Sequence, residues 1–242
     1  EGGRQGAFLC PCRVERRRSA GIAIGKHLMN LGLKNLIMVD RFGIIDEGME
    51  ELNPAQAEMA ELTNREHKRG TLADALQGAD VFFGVSAPNV LTPEMIKTMA
   101  ADPIVFAMAN PTPEIMPDAA KAAGARVVGT GRSDFPNQIN NVMAFPGIFR
   151  GALDCRASCI NEEMKVATSY ALASLVREDE LNEEYILPNA LDKRIAKVVL
   201  KRLSRRPMKQ ASPEFKLIPI SYKLKYRGPD GAYCLRPFPF VQ

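Results

Sequence analysis

The 242-residue sequence has few cysteines, few histidines and no long apolar run. Its 5 cysteines are odd in number and have no histidines at ligand spacing, so we expect free thiols instead of a disulfide framework or a zinc site. No stretch approaches the roughly 18 to 20 apolar residues that cross a bilayer, and the amino terminus lacks the apolar core of a signal peptide. These features predict a cytoplasmic protein without a membrane anchor.

Charge is distributed unevenly along the chain. The overall content of 25% charged and 46% hydrophobic residues is typical of an enzyme domain with a sizeable core. Arginine, lysine and proline are frequent in residues 1–18 and 202–242, which show little helical or strand periodicity. We predict that residues 19–201 form the domain and that both ends lie outside its fold. Basic arms that bind nucleic acid are the alternative, but the ends carry no recognisable nucleic-acid-binding motif.

Strand and helix patterns alternate between the two ends. Apolar runs predict strands at 36–40, 81–85, 104–108 and 126–129, and periodic or capped segments predict helices at 20–31, 54–62, 71–76, 93–99 and 114–123. This alternation predicts an α/β fold, a doubly wound, Rossmann-type parallel sheet with helices on both faces. The strand that should precede the first helix is expected to be missing, because residues 1–15 contain no run of β-branched residues.

In such a sheet, ligands bind beyond the carboxyl ends of the strands. Small or polar residues follow four predicted strands, at Asp40, 84–87, 110–112 and 129–134. Small side chains at a strand end let the backbone approach a flat ring or a phosphate without a clash. Each of these segments alone is compatible with an ordinary turn, but four at one edge predict a binding site.

Asp40 ends a predicted strand roughly 20 residues beyond the position of a glycine loop, where a carboxylate accepts hydrogen bonds from the ribose hydroxyls of NAD. This position favours NAD, because a carboxylate repels the 2′-phosphate of NADP. Arg41 follows directly and could pair with that phosphate, which leaves NADP open. The alternative role for Asp40 is an exposed ion pair at the strand end.

The glycine loop itself departs from the usual fingerprint. If Gly21 is the last glycine, Arg16 and Arg18 occupy the first and second glycine positions. An arginine side chain fills the space in which the backbone should turn and meet the pyrophosphate. We therefore predict a defective glycine loop and weak dinucleotide binding, with Gly21 retaining its role in helix packing.

A polar loop meets an apolar helix start in SDFPNQINNVMAFPGIFRGALD, residues 133–154. Adjacent Asn140 and Asn141 bring two amides, each able to donate and accept hydrogen bonds, close to the Phe145-Pro146-Gly147 turn. Such a pair suits a hydroxy acid and a carboxamide cofactor, although asparagines in loops often only cap and turn the backbone.

Taken with three further segments, this motif resembles malic enzymes from about residue 20 to about residue 200. The segments are AGIAIGKHLMNLGLKNLIMVDRFGII, GADVFFGVSAPNVLTPEMI and ANPTPEIMPDAAKA, and INEEMKVATSYALASL resembles the start of the closing helices. The resemblance implies the NAD(P)-binding domain of a bacterial-type enzyme that oxidises malate to pyruvate and CO2. It places Gly21, Asp40, Gly84, Ser86, Ala87 and Asn110 at the cofactor, and Asn141, supported by Asn140, at malate.

The same resemblance implies that catalytic groups and metal ligands of the complete enzyme are not supplied by this chain. In malic enzymes the ligands of the catalytic Mg or Mn, and a Lys and Tyr pair for proton transfer, come from the domain before the glycine loop. We therefore assign no catalytic or metal residue, expect the chain alone to be inactive, and expect the complete enzyme to be a homo-oligomer. Another Rossmann-type dehydrogenase of the amino-acid or shikimate type is the nearest alternative, against which the paired asparagines argue. A non-enzymatic, basic interaction protein is the other.

Overall fold

The computed structural model describes residues 8–12, 19–50 and 52–204. Within them lie six strands: β1 Phe8–Cys12, β2 Leu36–Asp40, β3 Gly43–Ile44, β4 Val81–Gly84, β5 Ile104–Ala107 and β6 Val127–Thr130. They form one sheet in the order β3-β2-β1-β4-β5-β6. All neighbouring strands are parallel except β3, which runs antiparallel to β2. The predicted α/β, doubly wound parallel sheet is confirmed.

The helices of the described residues are α1 Ser19–Asn30, α2 Pro54–Leu62, α3 Leu72–Leu76, α4 Pro93–Lys97, α5 Pro117–Ala122, α6 Phe145–Asp154, α7 Glu162–Ala173 and α8 Arg194–Ser204. A short 3-10 helix at Asn141–Met143 precedes α6. The ends are set by local chemistry: the side chain of Asn53 caps α2 and that of Thr92 caps α4, and a proline follows each cap. None of the helices in this part of the chain is long and apolar enough to span a bilayer.

The prediction that the first strand is missing is wrong. β1 pairs in parallel with β2 along its whole length, from Phe8 opposite Leu36 to Cys12 opposite Asp40, and its first two residues also pair with β4. Pro11 lacks an amide hydrogen, and prolines are rare in central strands, so the local sequence argued against a strand. Pairing with a neighbour on each side decides the conformation instead.

The glycine loop containing Arg16 and Arg18 lies outside the described residues, as do residues 1–7 and 205–242 of the two predicted ends. The prediction about that loop therefore remains a prediction. Residues 8–12 belong to the predicted outer stretch 1–18, but they form β1 and pair with β2 and β4, so this part of the amino-terminal end lies within the fold. The other boundary predictions remain predictions.

The predicted helix at 114–123 begins only at Pro117. The backbone before it is bonded elsewhere: the carbonyl oxygen of Glu114 accepts a hydrogen bond from the amide of Leu91 at 3.1 Å, and that of Pro113 accepts one from Asn89 at 3.1 Å. These bonds hold the segment against the loop that follows β4. Glu114 therefore lies in a loop, next to the carboxyl edge of the sheet.

The sheet is covered on both faces, as the uninterrupted apolar character of β2 requires. Leu36 and Met38 pack into a cluster with Ile22 and Met59 of the covering helices. The alternate residues of β2 pack into a larger cluster on the other face, which includes Ile37, Val39, Phe82, Val105, Val128, Leu76 and Ile96. All five residues of β2 are consequently buried.

The three last helices form a further apolar cluster. Met164 and Ala167 of α7, Ala152 of α6, and Val199 and Leu203 of α8 are buried together. This cluster holds α6, and with it the Asn140 and Asn141 segment that leads into the helix.

Candidate functional site

The carboxyl ends of four parallel strands lie at one edge of the sheet, as predicted. Asp40 ends β2, Gly84 ends β4, Asn110 follows β5, and Thr130 ends β6. The chain leaves β1 toward β2 on one side and reaches β4 on the other, so the strand order reverses between β1 and β4. Crevices for ligands in open α/β sheets form at such a reversal.

A cavity of about 420 Å³ opens at this edge. It is lined by residues from the ends of two strands and from the start of α3: Val39, Asp40, Arg41, Phe42, Gly43, Thr71, Leu72, Ser86, Ala87 and Val90. A neighbouring cavity of about 370 Å³ shares Asp40 and Phe42 with it and reaches Gln56 of α2. Asp40, Ser86 and Ala87 are thus brought together, although 46 residues separate Asp40 from Ser86 in the sequence.

Asp40 is buried, with 8% of its surface exposed. One carboxylate oxygen accepts a hydrogen bond from the amide of Arg41 at 2.7 Å, and the other accepts one from Nε2 of Gln56 at 2.5 Å. Within the described residues it forms no ion pair, so the alternative of an exposed strand-end ion pair is wrong. A carboxylate oxygen can accept more than one hydrogen bond, and Asp40 therefore keeps acceptor capacity toward the cavity.

Arg41 is exposed at the rim of the same cavity, and its guanidinium carbon lies 4.4 Å from the ring centroid of Phe42. This is a cation–π distance. Arg41 and Asp40 line the same cavity, so a positive side chain at its rim stands beside an acidic one.

Glu114 is a site residue that the sequence pattern did not predict. This side chain is fully buried and accepts hydrogen bonds from the amide of Ser86 at 2.7 Å, from the Ser86 hydroxyl at 3.1 Å and from the amide of Ala109 at 2.9 Å. It therefore links the loop after β4 to the loop after β5. Glu114 was predicted to begin a helix, and so no role at the site was expected for it. The sequence signal that could have indicated such a role is an acidic residue within the proline-rich segment that follows Asn110.

Asn110 is exposed at the end of the β5 loop, directly after Ala109. Gly21 is buried in the first turn of α1, which agrees with its expected role in packing. Neither of the two cavities is lined by Asn110 or by the asparagine pair. Of the predicted site residues, the described part of the chain thus brings Asp40, Ser86 and Ala87 to one cavity, whereas Asn110, Asn140 and Asn141 lie outside both cavities.

The two asparagines before α6 have different environments. Asn140 caps the 3-10 helix, because its side-chain oxygen accepts a hydrogen bond from the amide of Val142 at 3.0 Å. Asn141 is exposed, and its side chain forms no hydrogen bond within the described part of the chain. The capping role proposed as the ordinary alternative holds for Asn140, whereas the amide of Asn141 is available to a ligand.

The loop after β6 carries an ion pair. Nε and Nη2 of Arg132 donate to the two carboxylate oxygens of Asp134 at 2.9 and 2.6 Å. The hydrogen bond from Arg132 is the main cause that lowers the pKa of Asp134; burial opposes it in part, and a backbone hydrogen bond and the positive charge of Arg132 add to it. Across the described residues, no three His, Cys, Asp or Glu side chains are grouped so that they could hold a metal ion.

A doubly wound sheet with a cavity at the reversal of strand order and a buried acid at the end of its second strand defines a Rossmann-type domain. Within that class, a family model described as "Malic enzyme, NAD binding domain" matches residues 29–203. The chain belongs to this family.

Curated relatives agree with this assignment. The chain is 56% identical over 191 residues to a bifunctional malic/malolactic enzyme of Bacillus subtilis, a match that covers 78% of this chain and 47% of that protein. It is also 56% identical over 181 residues to an NAD-dependent malic enzyme of Geobacillus stearothermophilus, covering 75% of this chain and 38% of that protein. The chain thus spans about half the length of the Bacillus subtilis protein and less than half the length of the Geobacillus stearothermophilus protein.

Among solved structures, the NAD-dependent malic enzyme of Thermotoga maritima superposes with a TM-score of 0.77 at 42% identity, covering 85% of this chain and 53% of that one. The malic enzyme of Entamoeba histolytica gives a TM-score of 0.77 at 33% identity, covering 84% and 43%.

Proposed function

We propose that this chain is the NAD-binding part of an enzyme that oxidises malate and decarboxylates the product to pyruvate and CO2. The observation that carries the proposal is the buried carboxylate of Asp40 in a cavity between the loops after β2 and β4. Relatives named as malic enzymes support the reaction, and both NAD-dependent and NADP-dependent proteins are among them. When bound, the nicotinamide ring accepts the hydride from the hydroxy acid.

The residues of the chain fit the cofactor at its adenosine end. Asp40 accepts hydrogen bonds from the ribose hydroxyls, while Gly84, Ser86 and Ala87 let the loop after β4 approach the adenosine. Asn110 contacts the nicotinamide ribose or the substrate from the neighbouring loop. These roles follow from strand-end position and from the resemblance to the family.

Asn141 is proposed to hydrogen-bond malate, with Asn140 fixing the backbone that presents it. An amide both donates and accepts, so it can serve a carboxylate and a hydroxyl of the same substrate. The described residues do not fit a divalent metal, because they provide no cluster of ligands. We therefore expect the chain by itself to bind the cofactor weakly, as its altered glycine loop predicts, and to leave malate unchanged.

A cytoplasmic location and a homo-oligomeric complete enzyme belong to the same proposal. The thiols of Cys155 and Cys159 are free, which agrees with a reducing compartment.

The test is calorimetric titration of NAD and NADP into the purified chain and into an Asp40→Asn variant. Removing the carboxylate weakens NAD binding by about tenfold, as expected for loss of a charged hydrogen bond of roughly 1.5 kcal/mol. The same change relieves repulsion of a 2′-phosphate, so NADP affinity should be unchanged or higher.

Asp80→Asn is the matched control, because it removes a carboxylate just before β4, at the amino-terminal edge of the sheet. It should leave both affinities unchanged. Absence of saturable binding of either dinucleotide would contradict the proposed function, and equal losses for NAD and NADP in Asp40→Asn would contradict the role of Asp40.

A further inference from the structure

Glu114 is a buried acid, and neither apolar packing nor an ion pair explains why an acidic side chain is buried at this position. Its exposed fraction is 0%, and no ion pair to it forms within residues 8–12, 19–50 and 52–204. Burying a carboxylate without a cation is unfavourable, and an apolar side chain could fill the same space at lower cost. The three hydrogen bonds that it accepts are therefore its distinguishing property.

The chain leaves room for this carboxylate at Gly84. A Cβ atom built on Gly84 would lie 2.5 Å from the carboxyl carbon of Glu114, a separation that real atoms do not adopt. Only glycine at the end of β4 is compatible with the position of the acid. Gly84, which is predicted to let the backbone approach the cofactor, thus also accommodates Glu114.

The bonds of Glu114 join two loops at the proposed cofactor site. One oxygen holds the amide and hydroxyl of Ser86, which lines the large cavity, and the other holds the amide of Ala109, directly before Asn110. The backbone bonds from Leu91 to Glu114 and from Met108 to Gly84 strengthen the same connection.

We propose that Glu114 is a positioning residue for NAD, which fixes the loops after β4 and β5 in the spacing that the dinucleotide requires. This inference rests on the proposed function. It also gives the Ser86 hydroxyl a direction, because that hydroxyl donates its hydrogen to Glu114. The lone pairs of Ser86 Oγ then remain as acceptors for a hydroxyl or amino group of the cofactor.

Glu114→Gln is the variant that tests this arrangement with the least change of shape. Its amide offers one acceptor oxygen, so its NH2 group faces an amide hydrogen of either Ser86 or Ala109, and one loop is released. We expect NAD affinity to fall by at least about tenfold, because a buried donor is left unpaired. We also expect faster hydrogen exchange of the Ser86 amide or of the Ala109 amide, whichever faces the new NH2 group, in the free protein.

Two further variants separate positioning from general loss of stability. Val81→Ala opens a cavity at the buried amino end of β4, at the opposite edge from the loop, and should lower the melting temperature without lowering NAD affinity. Ser86→Ala keeps the backbone bond to Glu114 and removes the hydroxyl. It should therefore weaken NAD binding less than Glu114→Gln does, and it should stay folded even if Glu114→Gln does not fold.

The outcomes are distinct. Unchanged NAD affinity in Glu114→Gln, or unchanged exchange of both amides, overturns the positioning role. The positioning role is also overturned if Val81→Ala and Glu114→Gln lower the melting temperature equally and weaken NAD binding equally. Glu114 would then act only through the stability of the fold. If Glu114→Gln does not fold, unaltered NAD affinity in Ser86→Ala overturns the proposal. Failure of the unaltered chain to bind NAD or NADP contradicts the proposed function, and the exchange measurement still decides whether Glu114 orders the two loops.

Discussion

The acidic residues of this chain differ in burial and in hydrogen-bond partners. Asp40 is buried with neutral partners and keeps acceptor capacity toward a cavity, whereas Asp134 is exposed and paired with Arg132. Glu114 is buried and, among the described residues, its carboxyl group accepts hydrogen bonds from donors of the two loops that it joins. Sequence position alone does not separate these cases, because each acid stands in or beside a loop after a strand.

Asp46 offers a prediction about pH at the residue scale. The hydrogen bond from Arg69, at 2.7 Å, is the main cause that lowers the pKa of Asp46, opposed in part by burial and helped by the charge of Arg69 and a bond to His67. Because the folded pKa lies below the unfolded one, the pair stabilises the fold above the unfolded pKa. That contribution is lost as the pH falls through the folded pKa.

We therefore expect Asp46→Asn to reduce the free energy of unfolding at pH 7 and to flatten its decline below about pH 4. Urea unfolding followed from neutral to acidic pH measures this. Glu61→Gln, an exposed acid of α2, is the control and should leave the curve nearly unaltered. An Asp46→Asn curve parallel to that of the unaltered chain would show that the ion pair does not contribute.

At the scale of elements, close helix packing places the segment that carries Asn141. A Cβ atom on Gly151 of α6 would clash with the side chain of Leu203 on α8, and one on Gly147 would lie 2.9 Å from Val199. The glycine face of α6 thus lets α8 approach closely, and the apolar cluster with α7 fixes the three helices together. This packing determines where the loop before α6 presents its asparagines.

Gly151→Ala should therefore destabilise the chain by about 1 to 3 kcal/mol, the usual cost of overfilling a packed core. Thermal or urea unfolding measures the loss. Shortening the opposing side chain in the Gly151→Ala, Leu203→Ala double variant should restore space, so its loss should be smaller than the sum of the two single losses. Strict additivity would contradict the contact between these positions.

For the whole molecule, the site depends on elements distant in sequence. The cavity takes residues from the end of β2, from the start of α3 and from the loop after β4, and Glu114 adds the loop after β5. A ligand that bridges these elements binds the folded chain and not the unfolded one. Cofactor binding should consequently stabilise the entire fold.

NAD at about 100 times its dissociation constant should add roughly 2.7 kcal/mol of stability, which raises the melting temperature by about 5 to 10 °C for a domain of this size. A thermal melt with increasing NAD measures the shift. Inorganic pyrophosphate at equal concentration controls for charge and should give a smaller shift, because it cannot reach Asp40 with a ribose. A melting temperature independent of NAD at every concentration would contradict binding to the folded state.

Local patterns in the sequence determined most of the elements. The strand at Leu36–Asp40 and the helix at Pro54–Leu62 were predicted with the observed bounds, because an apolar run that ends in an acid and an Asn-Pro helix start are local signals. The family was also predicted from sequence, since its motifs lie in short segments at fixed spacing.

Only the tertiary structure decided that residues 8–12 form strand β1 and that Glu114 lies in a loop at the site. Phe8–Cys12 is a strand because neighbours pair with it on both sides, although Pro11 argues against a strand locally. Glu114 leaves the predicted helix because its carboxylate and its backbone are bonded to residues 5 to 28 positions away along the chain. Both depend on partners that folding brings together, and no pattern within a short window of sequence contains those partners.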